Sequence, residues 1–416
     1  MEPTPESIAA HSAAITSALS TVSSSNAAYQ KLSAENIQLT GPASSASVRE
    51  VHKELILNAQ KLLRTIRGPY DSIFAQLENV SHAGAIRALL EMGVFHALPK
   101  DGTNMKSSDL AQKLKVDELL LVRLMRASTV IGPLKETGPQ EYAHTPHSLV
   151  YTIPALEAGL RLMTDEYLTS QLHFAMFFKE YGWKNPISQT NNPYTFTHRT
   201  DGQTMWEFMA QLPDRKEAFN AAMQAQTAGL GWIVGIFPFQ EQLSKVAIDD
   251  ETVLAIDIGG GRGQATTEIR ALTNETKGRV ILQDLPEVID EISKPLPGIE
   301  LMKYNFFEPQ PLKGALIYYI RRCLHDWPDA DCIKILKNIA AAMSTSTSRI
   351  VISEVIPPDQ GVDLETVWSD LTMMTFAGCE RTLQQWEALL DAAGLRLEKT
   401  YGAKTTAFHA IEARLK

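Results

Sequence analysis

Val253-Leu-Ala-Ile-Asp-Ile-Gly-Gly-Gly-Arg-Gly263 is an apolar run that ends in an aspartate and passes at once into a glycine-rich turn. A buried parallel strand ends this way where its backbone must approach a ligand, because glycine tolerates φ > 0 and has no Cβ to hold the ligand off. The next segment, Gln264 to Leu272, reads as a helix whose N-terminus points into the same crevice. The spacing D-x-G-x-G-x-G, from Asp257 through Gly259, Gly261 and Gly263, is not the G-x-G-x-x-G dinucleotide fingerprint, since neither register of the glycines supplies the third. Taken alone, the same residues also suit an ordinary tight strand-to-helix turn.

Downstream, apolar runs and helical patterns alternate. Strands are expected at 253–258, 279–284, 299–304, 315–321, 349–356, 396–401 and 407–413. Helices fall between them, notably Ala330 to Met343 and Leu383 to Ala393, where Gly394 is a good stop. Alternating βα units imply an α/β fold with a doubly wound parallel sheet. The last two strands have a short link and no helix between them, so they should form an antiparallel hairpin at one edge.

Upstream the texture changes. A chain of 416 residues exceeds one ordinary core, so two domains are the default. Residues 1–48 are rich in Ser and Ala, punctuated by Gly41-Pro42, and read as an arm. Residues 49–153 fit a winged helix: a helical run from Val51 to Arg67, an amphipathic helix from Ser81 to Phe95, a capped short helix from Ser107, and a second opened by Asp117 over Glu118 to Ala127. Glu136 to Thr145 and Leu149 to Thr152 would supply the two-stranded wing. Residues 154–245 are mainly helical and rich in large side chains, and 246–416 carry the sheet.

Hydrophobic content of 44% and charged content of 21% are those of a soluble globular protein. The formal net charge of −9 opposes a phosphate-backbone-binding surface, so no nucleic-acid partner is expected. Cys323, Cys332 and Cys379 lack C-x-x-C spacing. They suggest neither a disulfide framework nor a zinc site, so no metal is expected, and they fit the cytoplasm. The N-terminus has no basic start or apolar core of a signal peptide, and no run of about 18 apolar residues could span a membrane.

In doubly wound sheets, ligands bind beyond the carboxyl ends of the strands at the switch point. The first strand ends at Asp257 and the glycine turn, and the second at Gln283-Asp284-Leu285-Pro286. An acidic residue at this second place accepts hydrogen bonds from ribose hydroxyls. The third ends at Tyr304-Asn305-Phe306, where an amide and a ring suit an adenine. The fourth ends at Arg321-Arg322-Cys-Leu-His325-Asp-Trp327, and the fifth at Ser353-Glu354. A pyrophosphate would want three glycines or a P-loop lysine. Two acidic residues suit instead a ligand with ribose hydroxyls and a cationic centre, which describes S-adenosylmethionine.

These segments resemble the class I S-adenosylmethionine-dependent methyltransferases. More narrowly, they are similar to the small-molecule O-methyltransferases of the caffeate and flavonoid type and their relatives in fungal polyketide pathways. The matching stretches are Asp257-Ile-Gly-Gly-Gly-Arg-Gly263, Gln283-Asp-Leu-Pro-Glu-Val-Ile289, Leu324-His-Asp-Trp-Pro-Asp329, Ile352-Ser-Glu-Val-Ile-Pro357 and Gly378-Cys-Glu-Arg-Thr382. The resemblance covers about residues 50–416 and implies a seven-stranded Rossmann-like domain behind a winged-helix dimerisation domain. It also implies a homodimer and a phenolic or polyketide-type substrate in secondary metabolism. It places Asp257, Gly259, Gly260, Gly261, Asp284, Leu285, Asn305, Phe306, Arg321 and Arg322 at the cofactor. Many relatives carry aspartate at the place of Asn305 and lysine at that of Arg321. Leu89, Leu90, Val94 and Phe95 are apolar residues compatible with the dimer face.

His325 would be the general base. A phenol of pKa about 10 is a poor nucleophile at neutral pH, and an imidazole can take its proton as the oxygen attacks the methyl in line. Glu380 and Glu354 would flank the ring, with Glu380 placed first to hold its tautomer, as a triad aspartate does. Asp326 could cap the helix near Asp329, and Trp327 could line the adenine pocket or join the core. Phe174, Phe178, Met223, Met373 and Met374 are candidate substrate walls, although such side chains are also ordinary core. The rival readings are a winged-helix regulator, a non-catalytic scaffold, and a methyltransferase fold turned to other chemistry such as decarboxylation or hydroxylation.

Overall fold

The structure, a computed structural model, describes residues 5–34, 46–229, 231–402 and 407–416. The chain divides into two compact units, one ending at Leu160 and the other beginning at Arg161.

In the first unit, a helix over Pro5–Ala34 occupies most of the expected arm, while Gly41-Pro42 lies outside the described residues. Its Ser and Thr residues are poor helix formers, but Thr16, Thr21 and Ser24 return their hydroxyls to the carbonyls four residues back, which keeps them paired. The next helix, Ala46–Glu91, breaks at Gly68-Pro69, where Gly68 has φ 69° and ψ −179°. Short helices follow at Val94–Ala97, Ser107–Leu114 and Glu118–Val130. Asp117 caps the last by accepting from the Leu120 N–H at 2.7 Å. Ser107, expected as a cap, instead donates to Glu118 at 2.6 Å. Strands β1 (Met105–Lys106), β2 (Lys135–Gly138) and β3 (Glu141–Ala143) form an antiparallel sheet in the order β1-β3-β2.

Two expectations are corrected here. The wing is β2 and β3, and Leu149–Thr152 is helical. Pro146 and the reciprocal bonds between Thr145 and Ser148 start a helix just before that apolar run. Leu89, Leu90, Val94 and Phe95 are not a free face; they are buried within the unit's own core beside Leu110, Leu121, Met125 and Tyr142. An exposed apolar stripe lies earlier on the helix Ala46–Glu91, at Tyr70, Ile73, Phe74 and Leu77, spaced as one side of a helix.

The helix Pro154–Leu162 runs across the division, and the second unit goes on with helices, among them Phe174–Tyr181, Pro193–His198, Met205–Ala210 and Pro213–Gly229. Seven strands follow: β4 (Val253–Ile258), β5 (Arg279–Asp284), β6 (Ile299–Lys303), β7 (Ile317–Arg321), β8 (Arg349–Val355), β9 (Leu395–Gly402) and β10 (Phe408–Leu415). Their order is β6-β5-β4-β7-β8-β10-β9. β4 to β8 are parallel, and β10 runs antiparallel to both neighbours at the expected edge. Alternation fills both faces: Ile256, Tyr318, Ile320 and Ile352 enter one core, while Ala255, Ile317, Tyr319 and Val351 enter the other. The chain runs outward from β4 to β6, then returns to lay β7 on the other side of β4. That reversal sets the crevice beyond the carboxyl ends of β4 and β7. Among the described residues, no helix is long and apolar enough to cross a membrane.

Candidate active site

The glycine turn is built around Asp257, which is fully buried and accepts from the Thr266 hydroxyl at 2.5 Å. Burial pushes its carboxyl up to about 6, against the pull of Thr266 and the Arg321 charge. Its second oxygen is buried without a hydrogen-bond partner. The turn passes directly over this side chain. A Cβ on Gly260 would stand 2.5 Å from Asp257 Oδ2 and 2.4 Å from Leu282, and one on Gly259 would stand 2.8 Å from the Cys323 sulfur. Gly260→Ala is therefore expected to cost about 1–3 kcal/mol by overpacking, read as a lower urea midpoint; an unchanged midpoint would mean that the turn relaxes freely.

Asp284 ends β5 opposite. One carboxylate oxygen accepts from the Gly261 N–H at 2.7 Å and the other from the Leu285 N–H at 2.7 Å. Burial raises its pKa and these two bonds oppose the rise. A carboxylate has about four lone-pair sites, so two remain for a ligand's hydroxyls. Asn305 turns its oxygen to the Phe307 N–H at 3.0 Å. Phe306 meets Trp327 edge-on at 5.9 Å, so Trp327 stands on the same ring cluster as the proposed adenine neighbour and also packs on the sheet core. The two arginines diverge. The charge of Arg321 acts on Asp257, whereas Arg322, at φ 50°, lies 5.9 Å from the Phe408 ring and acts on Asp326, Glu354 and Glu380.

His325 sits on the single turn Leu324–Asp326 that follows β7, and it is buried. Its Nδ1 is 3.0 Å from Glu380 Oε1 and 3.7 Å from Glu354 Oε2. Nδ1–H donates to Glu380, which leaves Nε2 as the accepting nitrogen, 3.6 Å from Asp326. Asp326 therefore faces the imidazole; the helix Asp329–Ala340 has Pro328 at its cap. Glu354, fully buried on β8, accepts from the N–H groups of Cys323 and Leu324, both at 3.1 Å. Glu380 also accepts from the Ser369 hydroxyl at 2.7 Å, and its own N–H donates to Asp370 at 2.9 Å. His325, Glu354 and Glu380 are close enough together for one cation; Oε1 of each glutamate serves N–H or O–H donors, while Oε2 of each is buried without a hydrogen-bond partner.

Burial alone would lower the His325 pKa. The charges of Glu354, Glu380 and Asp326 and the hydrogen bond to Glu380 override it and push the value up to about 9. Burial also lifts Asp326 to about 7, against the nearby imidazolium. Glu380 is held below the usual range: burial would raise it, but His325 and Ser369 outweigh that. Burial dominates at Glu354, which is raised.

Among the wall candidates, Met373 is buried with Tyr167, Tyr194, Met205 and Phe376, and Met223 packs against that cluster. Met374, next in the same helix, is half-buried. Phe174 and Phe178 pair with each other at 5.9 Å, and Phe178 also meets Phe177 and Trp183, so they belong to a separate aromatic cluster. Sequence reasoning missed Tyr167, whose ring lies 6.0 Å from Phe376, and the supports Ser369, Asp370, Gln189 and Arg381. Ser369 had a faint signal: it precedes Met373 by four residues and so shares its helix face. Arg381 stood inside a matched stretch, unassigned.

Residues 182–396 match the O-methyltransferase domain and residues 77–153 the O-methyltransferase dimerisation domain. The chain is similar to the O-methyltransferase desB of Aspergillus desertorum, 43% identical over 88% of this chain and 89% of the relative. It is also similar to OxaC, solved in complex with SAH and oxaline, at 35% identity and TM-score 0.85, covering 98% of this chain and all of that one. A third similarity, at 26% identity and TM-score 0.79 over 96% of this chain and all of the other, is to a structure described as a pericyclic reaction enzyme. On the family matches and the identity to desB, the chain belongs to the S-adenosylmethionine-dependent O-methyltransferases.

Proposed function

We propose that the protein methylates a hydroxyl of a phenolic or polyketide-type small molecule, with His325 as general base. The observation that carries this reading is the imidazole held by Glu380 through Nδ1, which leaves Nε2 to accept a proton. S-adenosylmethionine, when bound, supplies a methyl made electrophilic by its positive sulfur. The residues suit that cofactor: Gly259 and Gly260 let the turn pack directly on Cys323, Leu282 and Asp257, Asp284 keeps acceptor sites for ribose hydroxyls, and Asn305 and Phe306, just after β6, offer an amide and a ring to an adenine. Met373, Met223 and Tyr167, which share one apolar cluster, are the walls this reading assigns to a flat acceptor.

The three carboxylates suit the base to its task. Against a phenol of pKa about 10, an ordinary imidazole near 6.5 accepts the proton about 5 kcal/mol uphill, and raising the imidazole pKa makes that transfer less uphill. The cost is that most of the imidazole is protonated at neutral pH. Turnover should therefore climb as pH rises from about 6.5 toward 9, the limb belonging to the His325–Asp326–Glu354–Glu380 cluster jointly. A pH series of initial rates with labelled S-adenosylmethionine checks this; a flat profile over that range would remove His325 as the titrating base.

Similarity to a pericyclic reaction enzyme favours one second reading, a fold turned to other chemistry. Mass spectrometry of products decides: a gain of one methyl supports transfer, and conversion without it supports the alternative. A homodimer is supported by the dimerisation-domain match and by the exposed stripe Tyr70, Ile73, Phe74 and Leu77. A cytoplasmic setting is supported by three free cysteines.

A further inference from the structure

The turn that carries His325 is held by its carbonyls. Leu324 O accepts from Arg381 at 3.0 Å, His325 O from the Cys379 N–H at 2.8 Å, and Trp327 O from Arg381 at 2.7 Å. All three donors come from Cys379 to Arg381, and Gly378 permits the approach, since a Cβ there would stand 2.3 Å from His325 O. The remaining carbonyl, Asp326 O, is held from elsewhere: Gln189 Nε2 donates to it at 3.1 Å and to Phe376 O at 3.1 Å. One side-chain amide thus joins the catalytic turn to the end of the helix Leu364–Thr375, which carries Met373.

We propose that Gln189 is a positioning residue that sets the aim of His325 and Asp326 relative to the substrate wall. The proposal rests on His325 being the base. Gln189 is itself fixed, because the buried Asn192 donates to its carbonyl and to that of Ser188, both at 3.0 Å. Its amide orientation is determined: both neighbours are carbonyl acceptors, so only the NH2 group can face them. Its contact falls on Asp326, whose carboxylate is 3.6 Å from the accepting Nε2. Releasing that carbonyl frees Asp326 to move off the ring. Proton transfer and in-line attack both depend steeply on placement, and an error of about 1 Å can cost about 100-fold.

The other groups facing His325 are Glu354 on β8 and Glu380; Ser369 donates to Glu380, and the charge of Arg322, just after β7, acts on both glutamates. Residues 185–192 contain no titratable side chain, so replacing Gln189 with an uncharged residue alters the electrostatics of His325 only through geometry.

The test uses the full chain with Gln189→Met, which keeps length and removes both donors, and Gln189→Glu, which sets a carboxylate against two carbonyl oxygens. The acceptor is the phenol that the wild-type protein methylates fastest in a panel of hydroxylated aromatics. Active sites are counted by SAH calorimetry, and His325 is titrated by NMR with labelled histidine, assigned through His325→Asn. Gln189→Met should lower kcat per SAH site about 10–100-fold, Gln189→Glu more, with the KM for S-adenosylmethionine unchanged and the His325 titration moved to lower pH. The proposal is overturned if Gln189→Met keeps wild-type kcat and titration while His325→Ala is inactive. It is equally overturned if lost activity merely tracks lost SAH sites. An active His325→Ala would instead sink the base assignment on which the proposal rests.

Discussion

Replacing His325 with alanine is expected to lower kcat by about 10²–10⁴ while leaving SAH affinity nearly unchanged. The expectation follows from where the ring stands. Nδ1 is engaged by Glu380 and Nε2 is the only imidazole nitrogen left to accept a proton, while the glycine turn and Asp284 belong to other strand ends. Alanine also strips the counter-charge from Glu354 and Glu380, so packing and electrostatics change together. His325→Asn separates these effects. Its amide can still donate to Glu380, but it has no basic nitrogen, so it should be as inactive as alanine while disturbing the cluster less. Either variant turning over within a few-fold of wild type, with labelled cofactor and its best acceptor, would dismiss proton transfer by residue 325.

The pattern that made this site readable is the one that made the sheet readable. β4 and β5 follow the apolar runs because each stops where a buried strand cannot go on, β4 at Ile258 before the glycines and β5 at Asp284 before Leu285-Pro286. Residues at strand ends are brought to one crevice by topology alone, so His325 and Glu354 could be paired from sequence order, and Glu380 came from its matched stretch. Local cues failed where two of them competed. Leu149–Thr152 is apolar enough for a strand, but Thr145-Pro146 and Ser148 had already begun a helix. Ser107 has the chemistry of a cap, but its hydroxyl is spent on Glu118 across a turn. Gln189 lies 137 residues from Asp326 and 187 from Phe376, and no periodicity or spacing marks an amide whose meaning is wholly tertiary. Charge was the other hidden quantity. A histidine in Leu-His-Asp-Trp suggests a base, yet its strength depends on three carboxylates converging on it, two of them from other elements.

Asp284→Ala is expected to weaken SAH binding by about 100-fold or more, with kcat at saturating cofactor reduced far less. Hydrogen bonds to a charged acceptor contribute about 1.5–3 kcal/mol each, and two ribose hydroxyls would share this carboxylate. Part of the loss would come from the turn itself, because Asp284 also holds the Gly261 N–H at 2.7 Å. Asp284→Asn divides the two contributions: its oxygen can still accept from one backbone N–H, but the charge that strengthens the ribose bonds is gone. It should therefore fall between wild type and alanine in calorimetry. If both variants bound SAH as wild type does, Asp284 would be only a clasp for the glycine turn, and the ribose would have to be sought at another strand end.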